Sequence, residues 1–543
     1  MSLTHLFTLF LVVLGLADVP DISHGKPVAP LLGGLGTWSM KVSTDSPRAQ
    51  QFFDQGIRMV YAFNHAEAVR AFQEAARLDP KLAMAPWGEA LALGPNINAP
   101  LTAEGHTQAF AAIQKAVKLR GNASPKEQAL IEALSLRYTA DTKADRAPFD
   151  KAYAAAMKHV AEKFPEDGDV STLYAAAVMD TMPWNYWEKD GSPRPGTEAV
   201  IKTLEHVIAK HPEQPGAHHF YIHMVEASKS PDRAVRSADV LADLMPGAGH
   251  MVHMPSHIYL RVGRYADASA SNERAIVADE DYLSQCQAQG MYPVGYYPHN
   301  THFLWFASTF EGRSAQAIEM ARKTAEKVPH HVSAHVGSMH DLPVVPLYAY
   351  VRFGKWVDIL TTPQPAPSND YAQAIWHYAR AMAFLARNQV ERAQAEAAAL
   401  DEVAKREVFK TTLKESPLVP NLAIAQRVVR GEIAAETGDF TTAVATLREA
   451  VKMQDEQSYM EPAYWHYPVR HTLGAVLLQA GKAGEAEQVY RDDLAINREN
   501  GWALFGLMQS LESQKKLDDL STVAARFRKA WARADVTLTA SRF

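Results

Sequence analysis

An all-α solenoid of antiparallel helical hairpins is the architecture to expect from this chain, and two patterns point to it. One is the segment from Tyr61 to Pro80, in which Ala68, Phe72 and Ala75 recur at helical intervals and Pro80 closes the run. The other is its repetition along the chain. The same small-residue pattern returns as Gly263-Arg264-Tyr265 with Ala268 and Ala275, as Gly312-Arg313 with Ala317, as Gly438-Asp439-Phe440 with Ala443 and Ala450, and as Gly481 with Ala486. Small residues at those places let two helices approach closely, and a unit that cannot bury its apolar face alone stacks on copies of itself.

In chain order, residues 1–17 read as a signal peptide, 18–45 as an N-terminal extension and 46–543 as the helical solenoid, with a histidine-rich centre at about 215–345. Leu6 to Leu16 is an apolar run of signal-peptide length, although no Lys or Arg precedes it, and Gly15-Leu16-Ala17 suits cleavage after Ala17. The run is too short to span a bilayer, and no later segment approaches the ~20 apolar residues that spanning requires. The expected location is therefore outside the cytoplasm, periplasmic or secreted.

Further along, degenerate copies of the unit surround Ala234, Gly354 and Ala393. Ala234 and Ala268 are 34 residues apart, but Ala268 and Ala317 are 49 apart, which places an insert near Leu283 to Tyr297. This glycine- and tyrosine-rich insert is a candidate lid over a groove, since inserts in solenoids gather on one face. A second irregular stretch, Asp180 to Gly191, breaks helical rhythm with Pro183 and concentrates Trp184, Tyr186 and Trp187, either as core plugs or as the wall of a pocket.

The unit of about 34 residues, with its paired alanines and closing proline, resembles the tetratricopeptide repeat (TPR) family over nearly the whole chain after residue 45. That resemblance implies a right-handed superhelix of antiparallel hairpins. It says little about activity, because such arrays serve many purposes.

Composition narrows the function. With 47% hydrophobic and 21% charged residues the chain reads as a folded protein, and a formal charge of -6 without any Lys/Arg run gives no footprint for nucleic acid or anionic lipid. Both are expected to be absent as main partners. The lone Cys286 forms no internal disulfide, whereas 22 histidines are about twice what average composition supplies.

Eight of those histidines fall between residues 218 and 302: His218, His219, His223, His250, His253, His257, His299 and His302. Spacings of three, four and seven place each group on one side of a helix. The repeat register supplies an independent test. In TPR arrays the second, fifth and ninth residues of each first helix face the groove. Anchoring on Ala234 puts His219 fifth and His223 ninth, with Glu226 on the same side. Anchoring on Gly263 puts His250, His253 and His257 second, fifth and ninth, and anchoring on Gly312 puts His299 and His302 second and fifth. His218 falls one step off, as a packing or supporting residue. Pro255 interrupts the middle group and forces a kink or a helix start there; where the helix begins at Pro255, His250 and His253 approach on a preceding loop. His340 is a further candidate at the start of the next hairpin, followed by His335 and the distant His471.

Imidazoles crowded together repel when protonated and waste hydrogen-bond capacity when neutral, unless an ion binds their lone pairs. A set of imidazoles without thiolate, and with little carboxylate, suits copper, zinc, iron or nickel. Seven inward histidines exceed the four ligands of one tetrahedral ion, which points to more than one. By analogy of ligand set the expectation is a copper-dependent oxidoreductase acting on a small organic or phenolic molecule. His219, His223, His250, His253, His257, His299, His302 and His340 are the candidate ligands, Glu226 orients an imidazole or serves as base, and Tyr259, Tyr296 and Tyr297 are candidate redox or substrate-facing phenols. The alternatives are a zinc or iron hydrolase using the same site, and a non-catalytic scaffold that binds metal, peptide or protein in its groove.

Overall fold

The computed structural model describes residues 27–286, 292–327 and 342–543. The expected signal peptide lies outside them, as do His330, His331, His335, His340 and Asp341. The described chain is helices joined by turns and longer loops, with two isolated bridges and no strand. None of its helices is long and apolar enough to cross a membrane. It divides into two compact units, one running to Ile258 and including Arg274–Tyr297, the other made of Tyr259–Glu273 and Pro298–Phe543.

The first unit opens with a hairpin of α1 (Pro47–Tyr61) and α2 (His65–Leu78), followed by α3 (Met84–Ala92). Ser46 caps α1 by accepting from the Ala49 N–H, and Pro47 takes the first helical position, where its missing N–H costs nothing. The buried Phe72 ring is clamped between Gly56 of α1 and Gly88 of α3, and a Cβ at Gly56 would come within 2.6 Å of it. That clamp is the physical content of the small-residue pattern. Next come α4 (Ala103–Leu119), α5 (Pro125–Ser135), α6 (Ala147–Lys163), α7 (Gly168–Met179) and α8 (Thr197–Lys210). The segment that matters most follows: α9 (Pro215–Val225), α10 (Val235–Leu244), α11 (Gly249–His253) and α12 (Pro255–Arg261).

The second unit repeats the construction. Leu418–Glu436 pairs with Phe440–Asp455, and the Tyr490 ring of Ala483–Ile496 is held between Gly474 and Gly506 as Phe72 is held in the first unit. Hairpin turns here use glycine in the left-handed region, with φ of 79° at Gly263 and 73° at Gly312, where a side chain would be strained. Buried Trp465 and Trp502 fill its core, and Arg352 lies 3.5 Å over the Trp502 ring.

Candidate metal centre

Five of the predicted histidines meet inside the first unit, all buried: His219 and His223 on α9, His250 and His253 on α11, and His257 on α12. Three features set them there. Gln214 caps α9 through the Ala217 N–H, and Gly216 lets the helix lie against the Tyr61 ring, which a Cβ would approach to 2.5 Å. The His250 N–H donates to the Tyr292 hydroxyl at 3.1 Å, and that hydroxyl donates to Asp279 at 2.7 Å. Of the two alternatives at Pro255, the chain takes a helix start, with α12 opening there, and His250 and His253 sit on the short helix α11 rather than on a loop. Met254 keeps helical dihedrals, φ -51° and ψ -35°, and its N–H reaches the His250 carbonyl, so α11 runs on into α12 with only the hydrogen bond that Pro255 cannot donate missing.

Ring centroids of His219 and His223 are 4.8 Å apart, those of His219 and His250 4.9 Å, and those of His253 and His257 4.9 Å. One ring nitrogen from each of His219, His223 and His250 lies within 4.8 Å of the other two. Metal–imidazole bonds of about 2.0–2.1 Å put tetrahedral ligand atoms roughly 3.3 Å apart, so each ring closes on an ion by moving less than about 1 Å.

The hydrogen bonds decide which nitrogen each imidazole presents. The His219 Nδ1–H donates to the Tyr61 carbonyl at 2.6 Å. The His223 Nδ1–H donates to one Glu226 oxygen at 2.8 Å, and the His257 Nδ1 lies 2.5 Å from the other as an ion-pair contact. A neutral ring whose Nδ1 carries the proton exposes its Nε2 lone pair. His219 Nε2 and His223 Nε2 are buried and meet no hydrogen-bond partner among the described residues. His257 Nε2 faces His253 Nε2 at 2.9 Å.

Electrostatics support the neutral form. Burial, followed by the neighbouring His223, holds His219 well below the ordinary imidazole range, and burial lowers His223 against the opposing pull of Glu226. Burial pushes the Glu226 carboxyl up, but His257 and the hydrogen bonds from both imidazoles outweigh it and keep it ionised. Neutral rings at His219 and His223, with one buried carboxylate behind His223, are what an imidazole-bound transition ion requires.

Aromatic rings enclose the cluster. Phe63 stacks on His223 and His250 at 5.8 and 5.6 Å and tilts against His219 at 4.6 Å. Trp184, from the irregular stretch read as core plug or pocket wall, stands edge-on to His223 at 5.2 Å. Its indole N–H donates to Asn98, whose amide donates to the Tyr296 hydroxyl, and the Tyr296 ring lies 4.7 Å from His250. Sequence reasoning named Trp184 and Tyr296 but missed Phe63, Asn98 and the Tyr61 carbonyl.

His218 bonds the Ser237 hydroxyl and the Pro212 carbonyl, a packing role. His299 and His302 belong to the second unit on α14 (Tyr297–Phe310), where His299 packs on Phe303 and His302 stacks on Trp305 at 5.0 Å. In that unit too, His471 bonds Arg352 through Nδ1 and Asp493 through Nε2, and Tyr259 carries the Arg264 guanidinium. The Tyr297 hydroxyl donates to Glu280.

No family model and no curated protein matches the chain. Among solved structures, it is similar to the human IFIT1 dimer with m7Gppp-AAAA at 10% identity and a TM-score of 0.35, covering 91% of this chain and 96% of that one. It is similar to the Cut9–Hcn1 hetero-tetramer of APC/C at 13% identity and a TM-score of 0.32, covering 86% and 79%. The TPR domain of P58(IPK) aligns at 11% identity and a TM-score of 0.24, covering 86% and 99%. By the geometry of its own glycine-clamped hairpins, the chain is an all-α array of TPR-like repeats that carries a buried histidine cluster.

Proposed function

We infer that the first unit holds a transition-metal centre whose ligands include His219, His223 and His250, with His253 and His257 as its continuation toward a second ion. The observation that carries this reading is the pair of buried, unpartnered Nε2 atoms on His219 and His223, each on a ring whose Nδ1 is already committed. A buried acceptor without a partner costs about 1–3 kcal/mol, and an ion removes that cost.

Copper is the ion this imidazole set suits first, ahead of zinc or iron, and the activity that follows is oxidation of a small organic molecule. An ion held there supplies one-electron redox chemistry if it is copper or iron, and Lewis acidity if it is zinc. The chain's own part is positional. Glu226, with both oxygens taken by imidazoles, orients His223 and His257 and so acts as a positioning residue. Tyr61 does the same for His219, Phe63 and Trp184 keep water from the imidazoles, and the Tyr296 phenol stands beside His250. A metal-binding scaffold without catalysis is the second reading, favoured by the complete burial of all five imidazoles.

The test is plasma mass spectrometry on untagged full-length protein, beside the His219→Ala/His223→Ala double variant. Copper at one equivalent or more, lost in the variant, supports the centre, and oxygen uptake with phenolic substrates then separates enzyme from scaffold. Wild-type protein that takes up no transition metal on reconstitution overturns the metal reading.

A further inference from the structure

A cavity of about 40 Å³ lies within the first unit, between α1, α3 and α7. Its walls are mainly apolar, with Val60, Leu91, Ile97, Leu173 and Phe220 among them. Its polar lining is mostly paired: Arg137 donates to Asp150, to Asp180 and to the Pro95 carbonyl and lies over the Tyr153 ring, Tyr61 donates to Asp169, and the Asn96 amide meets His65. A space of this size with few free polar atoms has room for a molecule of two or three heavy atoms and little to hold water with.

Phe63 forms part of this wall and also covers His219, His223 and His250. Its backbone is the unusual feature. Eight hairpin turns among the described residues share one pattern, in which the turn residue's N–H reaches the carbonyl three residues back and the next N–H reaches the carbonyl five back. All eight turn residues have positive φ. Five are glycines, at 263, 312, 354, 438 and 481, one is Asn388 and one is Lys515. The eighth is Phe63, at φ 55°. A bulky residue in this conformation is an outlier, and a turn that glycine serves elsewhere in the same chain has no backbone reason to carry an aromatic ring. The ring's placement between cavity and imidazoles is what the position gains.

We propose that this cavity binds a small, uncharged, apolar molecule in the size class of dioxygen, and that Phe63 is the partition between it and the His219–His223–His250 cluster. The partition's purpose rests on the metal-centre reading, whereas the cavity's occupancy does not.

Xenon is the probe, bound under pressure to crystals of the full chain. The wild type is expected to show one xenon in the cavity. Ala176→Leu, which fills the cavity from α7, is expected to reduce its occupancy by about an order of magnitude. Phe63→Gly keeps the turn's backbone and is expected to move xenon toward the imidazoles. No xenon in the wild type, or xenon held equally by Ala176→Leu, overturns the proposal. Metal content measured on the same samples keeps the two readings apart: xenon without metal sinks only the centre, and metal without xenon sinks only the cavity site.

Discussion

Glu226 is the residue on which the cluster's chemistry turns. It is buried and ionised, and the Nδ1 atoms of His223 and His257 stand 2.8 and 2.5 Å from its two oxygens. Glu226→Gln preserves the shape but replaces one acceptor oxygen with a donor nitrogen, so one of the two rings must adopt the other tautomer and lose its inward Nε2 lone pair. Loss of such a supporting partner lowers metal affinity roughly 10–100-fold. Chelator competition on the refolded variant measures this, with far-UV circular dichroism as the control for fold; unchanged affinity excludes the orienting role. The grouping of His219, His223 and His250 was legible in the sequence because helical spacing is a property of side-chain order. The Tyr61 carbonyl that orients His219 was not, since a backbone atom leaves no mark on residue type. Phe63 did leave one: it stands where the matching turns read Gly263 and Gly312, and only the alignment of the repeats reveals the exchange.

At the scale of elements, the site depends on helices that come unusually close through glycine. Gly249 opens α11 directly against α13 (Tyr265–Gln285), so that a Cβ there would collide with the Asp279 carboxylate and come within 2.9 Å of the Ala275 carbonyl. Gly249→Ala therefore pushes α11 outward, or expels Asp279 and breaks its hydrogen bond from Tyr292. Overpacking of this kind costs about 1–3 kcal/mol. The expected outcome is a lower urea midpoint together with weakened metal binding, because His250 and His253 ride on the displaced helix. A fall in stability with metal affinity intact would show that α11 does not place the ligands. The short helix itself was only half legible. Pro255 marks where α12 must start, but nothing local distinguishes a five-residue helix from a loop before it, since its hold comes from Tyr292 and Asp279 about 30–40 residues downstream.

For the whole molecule, the repeat spacing foretold hairpins along the chain, but the division into two compact units depends on which hairpins pack together, and the spacing carries no record of that. The division has a thermodynamic consequence. His219, His223 and His250 all lie in the first unit, and an ion that binds only the folded cluster stabilises it by RT ln(1 + [L]/Kd), about 2.7 kcal/mol at a free concentration of 100 Kd. Local opening free energies differ from one segment of a protein to another, so this gain need not spread over every helix. Amide hydrogen exchange on metal-loaded and chelator-treated protein reads it segment by segment. Exchange in α1, α9 and α11 is expected to slow by roughly a hundredfold under these conditions, because 1.4 kcal/mol corresponds to a factor of 10. The second-unit hairpin of Leu418–Glu436 and Phe440–Asp455 carries none of these ligands, and its exchange is expected to stay within the error of the measurement. Equal slowing in that hairpin would mean that the two units open as one cooperative body. Slowing there alone would place the ion away from His219 and His223.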